Sequence, residues 1–548
     1  DRAGLEGDGG QIPPLVPVSR TDHLPLSFAQ QRLWFLTQMD PESGTYNLPF
    51  ALRLGGALNH RILERSFLAL VRRHESLRTT FPAVEGEPRQ VVVEVDRFAI
   101  PVEDLTALSE SERGTAIGRY AEAQAQRPFH LDRDLPIRAL LLRVSADAHI
   151  LLVTVHHIAA DAWSLAVVTH EVATIYNALA NEVEGAGIQS GDEPETLLPA
   201  LPVQYRDFAV WQRQWLQGAL LEREIGYWKQ RLGSTPPQLM LPTDHARPER
   251  QSYRGGRLTF HVPGEILEPL RRLSRRQGVT LFMTLLAAFK LLLSKFSGQT
   301  DILVGTDVAN RNRAETEQLV GFFVNLLPLR TDLSGNPSFV QLLGRVRETA
   351  LGAYAHQDVP FEKIVDSLKL TRDLGRNPLV QVLFVLQNVP PPSLQLAGVN
   401  VESLEFEHEV SRFDVGLFME ETEDGCAGLW KFSRDLFEPE TLAGWTQRFL
   451  RLLQQIGLSP ECGIETLEMD DAEVKEARRM DTKQRNDERL QRFKAIKPKP
   501  VALAQRTLVS GRPLVDGRAM PWLYTPAVDD VDLAGWGREQ RSRLQCEL

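Results

Sequence analysis

Cysteine is scarce in this chain of 548 residues: Cys426, Cys462 and Cys546 are the only three, and no two stand in a CxxC pair. That scarcity excludes a disulfide framework and a structural zinc site, and it fits a reducing cytoplasm. A surplus of positive charge is missing too. Against 72 Asp and Glu there are 62 Lys and Arg, a formal net charge of -10, which argues against a nucleic-acid binder. No apolar run approaches the ~18 residues that a membrane span requires. The opening DRAGLEGDGGQIPPLVPV carries no basic segment ahead of an apolar one, so no signal peptide is expected. Catalytic signatures of other classes are absent as well: there is no GxSxG elbow and no GxxxxGKS/T phosphate loop.

What is present is the composition of an ordinary globular protein, 43% hydrophobic and 24% charged. The length exceeds that of a single core, so two or more lobes are expected. The chain begins with Asp rather than Met and reads as a piece of a longer one.

Helical apolar spacing runs through LSFAQQRLWFLTQMD and on through NHRILERSFLALVRRHESLRTTF, where Ile62, Phe67, Leu70 and Val71 share a face. QVVVEV, PIRALLLRV and AHILLVTV read as strands, the last two joined in a hairpin by a short SAD turn. Ser164 is placed to cap the helix LAVVTHEVATIYNALANEV. EGAGIQSGDEPETLLPALP reads as a flexible connection. Beyond it come the helices YRDFAVWQRQWLQ and LFMTLLAAFKLLLSKF, with strands DILVGTDV, FFVNLLPLR, VQVLFVLQN and FDVGLFMEE. Helices and strands interleave throughout, the pattern of α/β or α+β lobes. From about Asp470 the chain is densely charged and reads as a solvated helix and spacer.

Chemistry concentrates in LLVTVHHIAADAWSL, residues 151 to 165. Adjacent side chains of a strand point to opposite faces, so His156 and His157 are badly placed to share one metal ion. HEVAT at His170 lacks the second histidine of an HExxH helix, and no metal site is expected. Acid/base work fits better: one imidazole faces a cleft at the strand end while its neighbour packs inward, and histidine titrates near neutrality. Asp161 either holds an imidazole tautomer or pairs with a cation. From this stretch alone, a satisfied pair of core histidines is an equal alternative.

Seven segments, in order, resemble the condensation domain of nonribosomal peptide synthetases, a relative of the chloramphenicol acetyltransferase fold. They are LSFAQQRLWFL (26–36), RRHESLRTTF (72–81), HHIAADAWS (156–164), YRDFAVW (205–211), VGFFVNLLPLR (320–330), HQDVPFEKIV (356–365) and RDLGRNPLVQVLF (372–384). The resemblance covers residues 24–467. It implies an α/β (α+β) two-layer sandwich fold, a pseudo-dimer of two acetyltransferase-like lobes in a V with a tunnel between them. The implied division is a linker at 1–22, an N-terminal lobe at 23–185, a connection at 186–204, a C-terminal lobe at 205–468 and a charged tail at 469–548.

The implied function is amide-bond formation between a donor thioester and an acceptor amine. Donor and acceptor peptidyl carrier proteins deliver both on phosphopantetheine, and no cofactor is bound in the chain itself. A thioester is already activated, so proximity supplies much of the acceleration, about 7–11 kcal/mol in ideal cases. By the resemblance, His157 sits at the tunnel centre and meets the amine, His156 is the inward structural member, and Asp161 pairs with Arg311. Trp163 and Ser164 line the same loop, and Asn325 lies on the strand beside the tunnel. The subtype resembled joins L-configured donors to L-configured acceptors.

Two departures stand out. Ala162 replaces the glycine of the HHxxxDG motif, which strains the backbone by about 1 kcal/mol if a positive φ is needed there. The tail, with FKAIKPKPVAL and LYTPAVDDVDLAGWG, resembles the leading segment of SyrP-like members of the TauD family, iron and 2-oxoglutarate dependent amino-acid β-hydroxylases. No histidine follows His408, so no HxD…H iron site lies in this tail. Two readings therefore stay open. One is a bond-forming condensation domain, favoured by intact His156, His157 and Asp161. The other is a non-condensing interface domain that recruits a TauD-like β-hydroxylase to a carrier-bound amino acid, favoured by Ala162 and the tail.

Overall fold

The strand Ala148–His156 shows how the sequence builds the first lobe. Every residue after Ala148 is buried, so the run reads as continuously apolar rather than alternating. Alternation is still at work underneath. Leu151, Val153 and Val155 join one core with Leu63, Phe67, Val168 and Val172, while Ile150 and Leu152 join another with Ala116 and Ala121. The strand is sandwiched between helices on both faces.

The computed structural model describes residues 12–19, 24–183, 197–370, 373, 375–387, 395–404, 410–469, 514–515 and 518–519. Helices of the first part are α1 (Phe28–Met39), α2 (His60–Arg73), α3 (Glu110–Gln126) and α4 (Ala162–Val183). Its strands are β1 (Asn47–Gly56), β2 (Val102–Asp104), β3 (Ile137–Arg143) and β4 (Ala148–His156). The second part holds α5 (Tyr205–Trp215), α6 (Gly218–Leu232), β5 (Gly255–Pro263), α7 (Gly264–Gln277), α8 (Leu281–Ser297), β6 (Asp301–Val308) and β7 (Asn325–Asp332). It continues with α9 (Phe339–Ala355), α10 (Phe361–Leu368), β8 (Val382–Gln387), β9 (Val399–Leu404), β10 (Val415–Thr422), β11 (Gly425–Ser433) and α11 (Pro439–Leu458).

Two sheets result. The first runs β9-β1-β4-β3-β2 and the second β7-β6-β8-β10-β11-β5. In the second, β6 with β8 and β8 with β10 are parallel pairs, and the remaining neighbours are antiparallel. Helix α8 is apolar all round because it lies inside the second core. Its one cation within that core, Lys290, is fully buried and donates to Leu329 O and Thr331 Oγ1, both at 2.7 Å. Burial pushes its ammonium well below the ordinary lysine range.

Several expectations change on this framework. Helix α2 stops at Arg73 instead of running on toward Phe81, and a single turn of 3-10 helix, Glu75–Arg78, follows. Of QVVVEV only Val91 and Val92 pair as a strand, with Thr79 and Thr80. The strand expected from FFVNLLPLR begins only at Asn325, leaving Phe322–Val324 as a loop.

The expected boundaries also shift. β9 falls within the stretch assigned to the second lobe, yet it pairs with β1 in the first sheet, Leu54 opposite Val401. Residues 12–19 do not hang free as a linker: Leu15 is buried with Val203, Tyr205 and Phe208, and Trp211 Nε1 donates to Pro13 O at 2.8 Å. In the connection, Gln204 is bound to the first lobe, donating to Arg73 O at 3.0 Å and accepting from Glu75 N at 3.2 Å. Apolar side chains in these stretches find sites on neighbouring elements, which overrides their turn-rich composition. Residues 1–470 form one unit and residues 471–548 another. The charged tail and its hydroxylase-like segment lie outside the described residues, apart from Met469 and a ladder of Leu514–Val515 with Arg518–Ala519.

Candidate active site

Strand β4 ends on His156, the chain turns through His157–Ala160, and α4 starts at Ala162. Asp161, not Ser164, is the cap of that helix. Its Oδ1 accepts from Ser164 N at 2.8 Å, satisfying an N–H that the first helical turn leaves open. Ala162, Trp163 and Ser164 therefore form a helical turn rather than a loop. Ala162 is exposed in its first position, and it is not among the residues with positive φ. Alanine in place of glycine consequently brings no backbone strain here.

The two histidines are both buried, His156 at 3% and His157 at 8% exposure, but they are fixed in opposite tautomers. His157 Nδ1 lies 2.9 Å from Ala160 O, an atom that only accepts, so Nδ1 carries the proton. Its Nε2 lone pair has no hydrogen-bond partner among the described residues. His156 Nδ1 instead accepts from Ile158 N at 3.1 Å, which leaves the proton on Nε2, and its ring stands edge-on to Phe129. Burial, reinforced by the nearby charge of Arg412, lowers the His157 pKa to about 4. Burial and the neighbouring His157 and Arg138 lower that of His156 to about 3. Both rings are neutral near pH 7.

Asp161 is a fastener between the lobes. Beyond the cap, its Oδ1 accepts from Ser164 Oγ at 2.7 Å and from Arg311 Nη2 at 3.1 Å, and its Oδ2 from the amides of Phe323 and Val324 at 3.0 and 3.2 Å. Arg311 follows Asn310, whose positive φ of 53° turns the chain back after β6. Its Nη2 also donates to Ser164 Oγ at 2.8 Å and its Nη1 to Leu319 O at 2.7 Å and to Thr316 O. Trp163 Nε1 donates to Glu317 O at 2.9 Å. Asn325 ties β7 to the start of α10 by donating to Gln357 O and Val359 O and accepting from Phe361 N. The carboxylate of Asp161 does not touch either imidazole through a hydrogen bond. It positions the segment instead of relaying protons.

His157 lines a cleft of about 150 Å³ between the lobes, together with Tyr46, Asp307, Phe322, Asn325 and Arg412. Phe322 packs its ring 4.6 Å from the imidazole. A second cavity of about 360 Å³, along β1 and β4, shares Arg412 as a wall. Residue-type reasoning missed Asp307 and Arg412. The only signal was Asp307 near the end of the largely apolar DILVGTDV, whose other acidic residue, Asp301, opens the strand. Among the described residues no group of three or more His, Cys, Asp or Glu side chains is arranged to hold a metal ion.

An imidazole with an open lone pair, neutral and set between two α/β lobes, is the point at which comparison decides. Residues 20–477 match the family described as condensation domain. The chain belongs to the condensation-domain family. It is 45% identical over 469 residues to one of the proteins that make up the linear gramicidin synthase of Brevibacillus parabrevis, an alignment covering 85% of this chain and 6% of that protein. The chain thus spans a small part of the relative it matches. Among solved structures, the X-domain in the complex of the X-domain and OxyB from teicoplanin biosynthesis superimposes with a TM-score of 0.74 at 29% identity, over 84% of this chain and 99% of that one. The first condensation domain of the calcium-dependent antibiotic synthetase, in complex with substrate analogue 2a, has the same fold at a TM-score of 0.65 and 20% identity, over 82% and 100%. Condensation domains of nonribosomal peptide synthetases are acyltransferases that form amide bonds on carrier-tethered substrates, and their two-lobe α/β architecture is the one described here.

Proposed function

We propose that this chain joins a carrier-tethered aminoacyl or peptidyl thioester to a carrier-tethered aminoacyl acceptor, with His157 meeting the attacking amine. The observation that carries this reading is the His157 tautomer: Nδ1–H is held by Ala160 O, and Nε2 is left to receive a proton in the interlobe cleft. In the reaction the amine nitrogen bonds to the thioester carbonyl carbon and the C–S bond breaks. The amine's proton passes to Nε2 and leaves with the departing thiolate. Lowered basicity suits a group that must give the proton up again, and holding both reactants side by side supplies most of the rate. His156 and the Asp161–Arg311 pair position the segment. Donor and acceptor peptidyl carrier proteins are the partners, phosphopantetheine is the tether, and the setting is the cytoplasm.

The test loads both carrier proteins and compares the chain with His157→Ala. Product is expected, with the variant slower by about 10²-fold or more, the span of general acid–base assistance. No product with any cognate carrier pair would rule the catalytic reading out.

A second reading, an interface domain docking a TauD-like β-hydroxylase, is favoured by the X-domain likeness, since that relative was solved with a second protein, OxyB. Ala162 does not strengthen it, because the helical backbone there tolerates alanine. Binding of a loaded carrier without product, together with capture of such a hydroxylase, would support this alternative.

A further inference from the structure

Among the ionisable groups on the cleft wall that the mechanism above does not use, the carboxylates are Asp307, Asp358 and Glu362, and Asp307 is the one carried on a strand of the second sheet. Asp307 stands near the end of β6, opposite Leu326 of β7. Its neighbour Thr306 is buried at 2% exposure, so strand alternation turns Asp307 to the other side, into the cleft that His157 lines. No hydrogen bond or ion pair reaches its carboxylate from the described residues. Arg412, the nearest cation in electrostatic terms, rests over the Tyr46 ring at 5.7 Å instead of closing on it.

Asp307 is exposed toward the open space of the cleft, so a ligand reaches its carboxylate directly, and a charge-assisted hydrogen bond to a cation is the contact it offers. Surrounding protein pushes its pKa up to about 6, so at neutral pH it is still mostly ionised. The reaction itself brings the complementary group: an α-amine is largely ammonium in neutral water. His157, neutral and weakly basic, does not offer that ammonium an ionic partner. Arg412, lining both cavities, repels it.

We propose that Asp307 receives the ammonium of the acceptor and so selects acceptors with an unblocked amine; the nitrogen then gives up one proton to solvent and meets the thioester beside His157 as the neutral amine. This rests on the condensation reading, but its test does not require turnover. Two unreactive probes are titrated calorimetrically into the chain: alanyl-aminopantetheine, in which an amide replaces the thioester, and its N-acetylated counterpart. The free amine is expected to bind about tenfold more tightly, the value of one charge-assisted hydrogen bond. Asp307→Asn is expected to bind the two within about twofold, and Asp307→Glu to keep the preference. Because the carboxylate makes no internal bond, Asp307→Asn is expected to melt like the parent. A preference that survives Asp307→Asn overturns the proposal, as does equal binding or no binding of the free-amine probe by the parent chain. A preference that obeys Asp307 in a chain that yields no product would spare this inference and sink only the catalytic reading.

Discussion

At the scale of single residues, the two histidines show how one residue type takes two roles within one dipeptide. The backbone decides it. Ile158 N–H donates to His156, whereas Ala160 O accepts from His157, and the imidazoles are locked with opposite nitrogens protonated. Burial keeps both neutral, with a consequence for stability. Their folded pKa values, about 3 and about 4, lie below the unfolded value near 6.5, so below pH 6.5 the unfolded chain takes up protons that the folded one refuses. Stability is therefore expected to fall as pH drops from about 6.5 to 4, by up to about 1.4 kcal/mol per pH unit for each ring. Denaturant midpoints measured across that window check it, and His157→Ala should make the decline shallower. Asp161 belongs to the same scale but to a different purpose. Asp161→Ala leaves Arg311 buried without its counter-charge, and a loss of about 3–5 kcal/mol is expected in urea unfolding. A catalytic role alone would leave that midpoint in place.

Among elements, the loop between β6 and β7 is the part that the HH motif depends on. Val320 O accepts from Ser76 Oγ at 2.7 Å, Gly321 N donates to Ser164 Oγ at 3.1 Å, and Phe322 O accepts from Tyr205 Oη at 2.7 Å. Gly321 is required by space, not by φ: a Cβ there would stand 1.9 Å from Tyr205 Cδ2. Tyr205 cannot yield easily, because its hydroxyl is also bonded to Ser27 Oγ at 2.9 Å. Gly321→Ala is expected to cost about 1–3 kcal/mol by overpacking. It should also slow product formation beyond what the lost stability explains, since Phe322 then leaves the face of His157; midpoint and rate measured on one preparation separate the two. Much of this scale was legible beforehand. The β3–β4 hairpin, α5, α8 and β6 follow from apolar period and turn residues alone. The misread start of β7 has a physical reason: Phe322 and Phe323 are as apolar as strand residues, but the Phe323 amide bonds to Asp161 and the Phe322 carbonyl to Tyr205 rather than to a ladder.

On the scale of the whole molecule, the lobes are not separable along the chain. β9 crosses to complete the first sheet at β1, and Arg206 of the second part pairs with Glu75 of the first at 2.8 Å. A fragment of residues 23–185 would leave the edge of β1 open and Asp161 without Arg311. It is expected to lack a cooperative unfolding transition and to regain one when residues 205–468 are added; a fragment that melts cooperatively by itself would contradict this.

The sequence by itself determined the residue types of the HH motif, the helices and strands that flank it, and the interleaved pattern from which α/β lobes follow. Those features rest on interactions a few residues long: alternation, helical period and turn-forming residues; the cap of α4 was read as Ser164 and only the structure placed it at Asp161. Only the tertiary structure decided which backbone groups satisfy Asp161, which nitrogen of His157 is left open, that Asp307 and Arg412 share its cleft, and that β9 belongs to the other sheet. Arg311 lies 150 positions from Asp161. Contacts over such separations come into being only when two cores pack, and no local pattern in the chain encodes their geometry.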